Sequence, residues 1–177
     1  MKTEFVTIGL TNPKSTENVG SVMRAAGCYQ VDQVLYSGTR YDRAMKMATD
    51  TKKVSSAIPL QHIDHLDAMN FCDAVDDETQ IICVDLIPGA TPLPAFSHPD
   101  KALYIFGPED GTIAQSVVDA ADHVVFVPTI GCMNLAASVN VVLYDRLAKS
   151  SRAMAGDDLI RESKDANNNV VVRKHPF

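Results

Sequence analysis

The sequence lacks the patterns that direct a chain out of the cytoplasm. Its first ten residues, MKTEFVTIGL, alternate polar and apolar side chains and no long apolar run follows, so we expect neither a signal peptide nor a membrane-spanning helix. The four cysteines, Cys28, Cys72, Cys83 and Cys132, have no C-x-x-C spacing and lie in apolar or mixed segments, where thiols behave as small hydrophobes. These absences predict a reduced, cytoplasmic protein.

Two ligand-binding patterns are also missing. No G-x-G-x-x-G turn follows the first predicted strand, which argues against an ordinary nicotinamide-binding fold. His62 and His65 stand at i and i+3 but have no evident third ligand, so we expect no metal site.

Basic residues are few, because 16 Lys and Arg face 22 Asp and Glu and give a net charge of −6. Such a balance argues mildly against nucleic acid, since phosphate binding draws on a basic surface. The charge is uneven, however, and residues 40–53 hold five basic and two acidic side chains, whereas 76–122 hold nine acidic and one basic. The alternative is that both stretches are simply solvated faces. Any RNA contact is expected at Arg40, Arg43, Lys46, Lys52 and Lys53.

Short apolar, β-branched runs alternate with helical patterns, which predicts an α/β fold with a mostly parallel sheet and helices on both faces. At 177 residues and 46% hydrophobic composition, one core domain over 1–150 is expected, followed by a polar tail over 151–177 with one helical turn. The predicted strands are Glu4–Leu10, Asp32–Tyr36, Gln80–Asp85, Ala102–Phe106 and His123–Val127.

Helical periodicity appears in two segments. Val19, Val22, Met23 and Ala26 fall at i, i+3, i+4 and i+7, which predicts a helix packed on the sheet. A second helix is predicted through Leu135, Val139, Val142, Leu143 and Leu147, with Asn134 as its N-cap.

Three segments near strand ends hold residues suited to chemistry. The first is Asn18-Val-Gly20-Ser-Val-Met-Arg24, in which the arginine presents a planar fork of donors. The second is a buried strand that ends in Gly107-Pro-Glu109-Asp110-Gly111, where glycine permits close backbone approach. The third is a strand, a Pro/Gly loop and a capped helix over 125–135. Each segment alone is also typical of an ordinary helix face or turn.

Together and in this order, the segments resemble the motifs of the SpoU/TrmH-type branch of the SPOUT superfamily of RNA ribose 2′-O-methyltransferases. The family patterns are N-x-G-x-x-x-R, a strand ending in G-x-E, and a proline loop that ends in Met-Asn before a helix closed by a Tyr-acid pair. The matching residues are Asn18, Gly20 and Arg24; Gly107, Glu109 and Gly111; and Pro128, Gly131, Met133, Asn134 and Tyr144-Asp145. The resemblance spans roughly residues 5–147.

The resemblance implies a C-terminal trefoil knot, S-adenosylmethionine as methyl donor, an RNA substrate, tRNA before rRNA, and a homodimer. It assigns catalysis to Arg24, with Asn18, Glu109 and Asn134 as orienting groups. It places the cofactor in three loops, at Leu86, Ile105, Gly107, Pro108, Gly111, Val127, Pro128, Ile130, Gly131, Cys132, Met133 and Asn134.

The sequence departs from the family in its third motif. Cys132 and Ala136 stand where family members usually have serine, and the loop before Asn134 is shorter. Two alternatives therefore stay open: an RNA-binding protein that kept the fold without catalysis, and a small-molecule nucleotide-binding α/β enzyme.

Overall fold

A computed structural model describes residues 4–47, 58–64, 74–151 and 156–173. Lys52, Lys53, His65 and Cys72 lie outside these residues, as does the side chain of Lys46. Predictions about these residues therefore have no structural counterpart.

The described residues form one seven-stranded sheet in which every pairing is parallel. Its order is β3-β2-β1-β6-β4-β7-β5. The strands are β1 Phe5–Leu10, β2 Gln33–Tyr36, β3 Leu60–His62, β4 Gln80–Val84, β5 Thr91–Pro92, β6 Lys101–Phe106 and β7 His123–Phe126. The helices are α1 Thr16–Cys28, α2 Arg40–Met47, α3 Gln115–Asp119, α4 Leu135–Lys149 and α5 Asp157–Ser163, and a 3₁₀ turn spans Leu93–Ala95.

Alternating side chains divide the core between the two faces of the sheet, since successive residues of a strand point to opposite sides. On one face, Ile8, Ile82 and Tyr104 pack with the apolar stripes of α1 and α4. On the other, Cys83, Leu103 and Ile105 pack with Ile113 and Val117 around the short α3. The predicted α/β class with helices on both faces is confirmed.

The five predicted strands are present, each within one residue of its predicted ends. The short edge strands β3 and β5 were not predicted, because three and two residues are too few for a periodic signal. The two predicted helices are also confirmed, as is the N-cap, because the Asn134 side chain accepts from the backbone N–H groups of Ala136 and Ala137. None of the helices described is long and apolar enough to cross a membrane.

Parallel pairing brings the carboxyl ends of the central strands to one edge of the sheet. In particular, β1, β6, β4 and β7 are consecutive neighbours, so the loops that follow them adjoin one another. Ligands of open α/β sheets bind at this edge. The fold thus brings Thr11, directly after β1, to Phe106 at the end of β6, 95 residues further along the chain.

Candidate active site

The three predicted motifs meet at the carboxyl edge of the sheet. Asn18 lies in the first turn of α1, Glu109 in the loop after β6, and Asn134 at the start of α4. The amide nitrogen of Asn134 donates to Asn18 Oδ1 at 2.8 Å, and the amide nitrogen of Asn18 donates to Glu109 Oε1 at 3.2 Å. One hydrogen-bonded chain therefore joins all three motifs.

The Glu109 carboxylate also anchors the loop before α1. Its Oε2 accepts from the backbone N–H of Lys14 at 3.1 Å, and its Oε1 accepts from that of Ser15 at 3.2 Å. Partial burial by itself raises the pKa of Glu109, but the hydrogen bonds from its own backbone, Asn18, Lys14 and Ser15 together lower that pKa below its usual value. Glu109 is therefore ionised near neutral pH and is a weak proton acceptor.

A cavity of about 150 Å³ opens beside this chain. Its walls come from the loops after β4, β6 and β7, as predicted for the cofactor loops. The lining residues are Val84, Asp85, Leu86, Phe106, Gly107, Pro108, Glu109, Gly111, Val127, Thr129, Cys132, Met133, Leu135 and Ser138.

The structure distributes the predicted cofactor residues unevenly. Leu86, Gly107, Pro108, Gly111, Val127, Cys132 and Met133 line the cavity. Ile105 is fully buried in β6, while Pro128, Ile130 and Gly131 are exposed on the loop before Asn134. Gly131 has a φ of +88°, a backbone conformation that favours glycine.

Asp85 is a cavity residue that the motifs did not single out. Its Oδ1 accepts from the backbone N–H of Leu86 at 2.8 Å, and its Oδ2 accepts from that of Ile113 at 3.2 Å. The carboxylate therefore ties the loop after β4 to the loop after β6. A β-carbon on Gly107 would lie 3.3 Å from both Asp85 Oδ2 and the Ile113 nitrogen, so a larger residue there would crowd this bridge. The sequence signal that could have identified Asp85 is an acidic residue at the end of a predicted strand.

Arg24 does not line the cavity. It stands six residues after Asn18 on α1, about 9 Å along a helix with a rise of 1.5 Å per residue. Its side chain is exposed, and within the part of the chain that the structure describes it makes no hydrogen bond or ion pair. One copy of the chain does not bring Arg24 to the other motif residues.

The predicted RNA-binding residues whose side chains the structure describes, Arg40 and Arg43, differ in their surroundings. Arg40 donates to both carboxylate oxygens of Asp110 at 2.9 Å and to the Asn12 carbonyl at 2.9 and 2.6 Å. Arg43 is exposed on α2. Lys14 also reaches Asp110, at 3.3 Å. These hydrogen bonds place Arg40 at the rim of the candidate site.

No three His, Cys, Asp or Glu side chains in the described ranges are grouped so as to hold a metal ion. His62 instead contacts the Gly38 carbonyl at 3.0 Å and packs edge-on against Tyr36.

Comparison with known proteins gives a consistent picture. Residues 6–144 match the SpoU rRNA methylase family. The chain is 25% identical over 190 residues to the tRNA (cytidine-2′-O-)-methyltransferase TrmJ of Methanocaldococcus jannaschii, and the alignment covers 96% of this chain and 79% of that protein.

Solved structures match the fold at lower identity. The SpoU methyltransferase AviRb of Streptomyces viridochromogenes, in complex with AdoMet, has a TM-score of 0.66 and 17% identity over 81% of this chain and 57% of its own. A structure described as giving insights into 2-OH methylation of C/U34 on tRNA has a TM-score of 0.66 and 17% identity over 82% of this chain and 91% of its own. This chain thus spans little more than half of the length of AviRb.

Proposed function

Because the chain belongs to the SpoU rRNA methylase family, we propose that it transfers the methyl group of S-adenosylmethionine to a ribose 2′-hydroxyl of RNA. The hydrogen-bonded chain Asn134–Asn18–Glu109, at the edge of a cavity built from three loops, is the observation that carries this proposal. The family and the enzyme class predicted from the motifs are confirmed by the family match and the curated relative. The predicted cofactor is the one bound in the AviRb structure, AdoMet.

The cavity residues fit S-adenosylmethionine. Gly107 lines the cavity without a side chain, and Leu86, Val127 and Met133 offer apolar contacts. The Asp85 carboxylate fixes two of the loops relative to each other. When bound, the cofactor supplies an electrophilic methyl group.

The ribose 2′-hydroxyl is a poor nucleophile at neutral pH, so the site must align it and stabilise its charge as the proton leaves. Alignment contributes as much as about 7–11 kcal/mol in well-oriented systems. We assign alignment to Asn18 and Asn134, which hold each other through a 2.8 Å hydrogen bond. Glu109 keeps the Asn18 amide in place, since its carboxylate already accepts from three groups outside its own residue.

We assign stabilisation of the developing alkoxide to Arg24. A guanidinium resists deprotonation, so it acts as a fixed positive charge that binds the hydroxyl oxygen and a neighbouring phosphate. The hydroxyl proton leaves through that phosphate or through water.

This role for Arg24 requires a homodimer. Arg24 is exposed and does not line the cavity of its own chain, so we infer that the cavity loops of a second copy meet it. Helix α4 packs against α1, and it exposes the apolar side chains of Val141, Tyr144 and Leu147. These exposed apolar side chains support a contact with a second copy. Static light scattering at micromolar concentration tests the assembly, and a monomer with full activity would contradict it.

Three further features belong to the same proposal. The C-terminal part of the core forms the family's trefoil knot, consistent with the position of β7 between β4 and β5 and with the return of α4 to α1. We also propose that residues 151–177 form a tail outside the core, since α5 and residues 164–173, which the structure describes, are exposed throughout. The protein acts in the cytoplasm.

We propose tRNA as the RNA, since the curated relative is described as a tRNA methyltransferase. The phosphate contacts are assigned to Arg40, Arg43, Lys46, Lys52 and Lys53. Replacing Arg43 with glutamate is expected to weaken RNA binding and to reduce its salt dependence.

Two experiments test the function. Calorimetric titration with S-adenosylmethionine establishes cofactor binding, and mass-spectrometric mapping of 2′-O-methyl nucleotides in RNA from cells without the protein identifies the target. A protein that binds RNA but no S-adenosylmethionine is the alternative, an RNA-binding relative without catalysis, which the substitutions at Cys132 and Ala136 would then explain.

A further inference from the structure

A second cleft lies on the other side of the loop after β6. It has a volume of about 570 Å³ and shares Pro108, in the loop after β6, with the cofactor cavity. This volume is within the range of about 300–1,000 Å³ that is typical of small-ligand sites. Its lining residues are Thr11, Asn12, Ser37, Gly38, Thr39, Arg40, Asp64, Pro108, Thr112, Ala114, Ser116 and Val117. We call it the flanking cleft.

One wall of the flanking cleft contains two adjoining residues whose φ angles are positive. Asn12 has a φ of +43° and Gly38 a φ of +78°. A β-carbon at Gly38 would overlap the Asn12 side chain, so glycine is required there for both space and backbone conformation. Asparagine tolerates the left-handed region better than most side chains do, and the Asn12 backbone N–H also donates to Ser37 Oγ at 3.4 Å. This wall is therefore a set feature of the fold.

The chemistry of the lining is polar and largely uncharged. The hydroxyl groups of Thr39, Thr112 and Ser116 are on exposed residues, and within the described part of the chain they have no hydrogen-bond partner. Arg40 and Asp64 contribute one charge of each sign. Donors and acceptors of this kind match the edges of an unpaired nucleobase, which single-stranded RNA presents to proteins.

A charged rim connects the flanking cleft to the candidate active site. Lys14 donates its backbone N–H to Glu109 and its ammonium to Asp110, and Arg40 binds Asp110 from the cleft side. Lys14 and Arg40 thus share the Asp110 carboxylate, and both cations lie along the rim. All three side chains are solvent-accessible, with 51%, 47% and 29% exposure for Lys14, Asp110 and Arg40. A phosphate that passes from one site to the other would meet both cations.

We propose that the flanking cleft binds the base of the nucleotide next to the methylated one, with Lys14 and Arg40 on the phosphate that joins the two. The inference rests on the proposed function, because it takes the ribose beside Asn18 and Asn134 to be the methyl acceptor. It adds a specificity site: the enzyme recognises a neighbouring base as well as the target.

The test couples a change in the cleft with a change in the RNA. Ser116→Leu fills the cleft from an exposed position of α3, and Gln115→Leu, on the same helix but outside the lining, is the matched control. Thr112→Val removes a lining hydroxyl without adding volume. The RNA is a stem-loop that carries the mapped target nucleotide, intact or with an abasic ribose on its 5′ or 3′ side. Binding is measured by fluorescence anisotropy and methyl transfer by single turnover.

For the wild type and Gln115→Leu, one of the two abasic changes is expected to weaken RNA binding at least tenfold. For Ser116→Leu the same abasic change is expected to cost less than twofold, because the cleft no longer holds that base. Thr112→Val should weaken binding of intact RNA about threefold and leave binding of the abasic RNA unchanged. Affinity for S-adenosylmethionine should be equal in all four proteins, which also verifies their folding.

If the abasic change weakens RNA binding equally in the wild type and in Ser116→Leu, the flanking cleft does not bind the neighbouring base. A loss of S-adenosylmethionine affinity in Ser116→Leu alone would also overturn the proposed base-binding role. In both cases methylation by the wild type would leave the proposed function standing. If the wild type binds RNA and shows the coupling but transfers no methyl group, the base-binding role of the cleft stands and the proposed methyltransferase function is overturned.

Discussion

Two polar networks lie at opposite ends of the sheet, and each ties α4 to distant segments. The carboxyl-end network is the chain Asn134–Asn18–Glu109 beside the candidate cofactor cavity. The amino-end network joins α4 to the segment before β6 and consists of His98, Tyr104, Asp145, Arg146 and Lys149. Both contain the residue types of catalytic sites.

The amino-end network is closed. Arg146 donates to the Tyr104 hydroxyl at 3.1 Å, Tyr104 donates to His98 Nδ1 at 2.6 Å, and His98 Nε2 donates to Asp145 at 2.9 Å. These directions follow because a carboxylate only accepts, and Lys149 completes the series by donating to Asp145 at 2.6 Å. Burial raises the pKa of Tyr104 to about 12, so the hydroxyl keeps its proton.

The difference between the networks separates structure from chemistry. The His98 and Arg146 side chains are only 4% and 10% exposed, and no buried side-chain nitrogen or oxygen in the described residues lacks a hydrogen-bond partner. At the carboxyl end, Asn134 is exposed and a cavity adjoins the carboxylate. Buried ion-pair networks shift pKa values as active sites do, so a displaced histidine pKa alone would have pointed to the wrong end of the sheet.

The largest effect is expected from breaking the amino-end network. Arg146→Leu should lower the free energy of unfolding by about 3 kcal/mol, because it leaves Tyr104 and the Pro99 and Asp100 carbonyls without their donor. Urea unfolding followed by circular dichroism measures this. Arg161→Leu, in an exposed ion pair on α5, is the control and should change stability by less than about 0.5 kcal/mol. An unchanged stability with lost methyl transfer would reverse the assignment of the two networks.

Arg24→Ala should reduce single-turnover methyl transfer about 10²-fold or more, the scale for one preorganised charge-stabilising group. Folding and S-adenosylmethionine affinity should stay near those of the wild type, because Arg24 does not line the cavity. Arg24→Lys should recover little activity, since an ammonium cannot span hydroxyl and phosphate as a planar fork does. Full activity of Arg24→Ala would end the mechanism proposed above.

Gly107→Ala should weaken S-adenosylmethionine binding about tenfold, which corresponds to about 1.4 kcal/mol. The added methyl group would press on Asp85 Oδ2 and the Ile113 nitrogen and disturb the bridge between two cofactor loops. Calorimetry measures the affinity. Gly27→Ala is the matched control, because a β-carbon there meets nothing within 4 Å, and it should bind the cofactor as the wild type does.

The smallest effect concerns pH. Burial lowers the pKa of His98 below its usual value of about 6.5, and the nearby Arg146 and Lys149 act in the same direction against the hydrogen bond to Asp145. The folded chain therefore binds fewer protons than the unfolded chain as pH falls below about 6.5. The stabilisation is present above that pH and is lost as pH falls toward the folded pKa.

His98→Gln should remove this dependence. Between pH 7.5 and 5.5 the wild type should lose more unfolding free energy than the variant, by less than about 1 kcal/mol. His123→Gln, at an exposed histidine, should follow the wild-type curve. If unfolding free energy falls with pH equally in His98→Gln and in the wild type, the claim that His98 is a neutral member of a closed network is contradicted.

The sequence by itself determined the elements and the motif residues. Alternating apolar runs predicted five strands, the periodicity of Val19 to Ala26 predicted α1, and Asn134 was recognisable as a cap because capping depends on residues two and three positions away. Three motifs in order identified the family. These features are local, so a single segment carries the whole signal.

The tertiary structure alone decided which segments meet. Asn18 and Asn134 are 116 residues apart, His98 and Asp145 are 47 apart, and Asp85 reaches Ile113 across 28. No local pattern records such pairs, because the strand order β3-β2-β1-β6-β4-β7-β5 creates them. The same strand order placed the unpredicted Asp85 and the flanking cleft beside the motif residues, and it left Arg24 outside the cavity of its own chain. These positions depend on how the sheet and helices pack, and not on the residues adjacent in sequence.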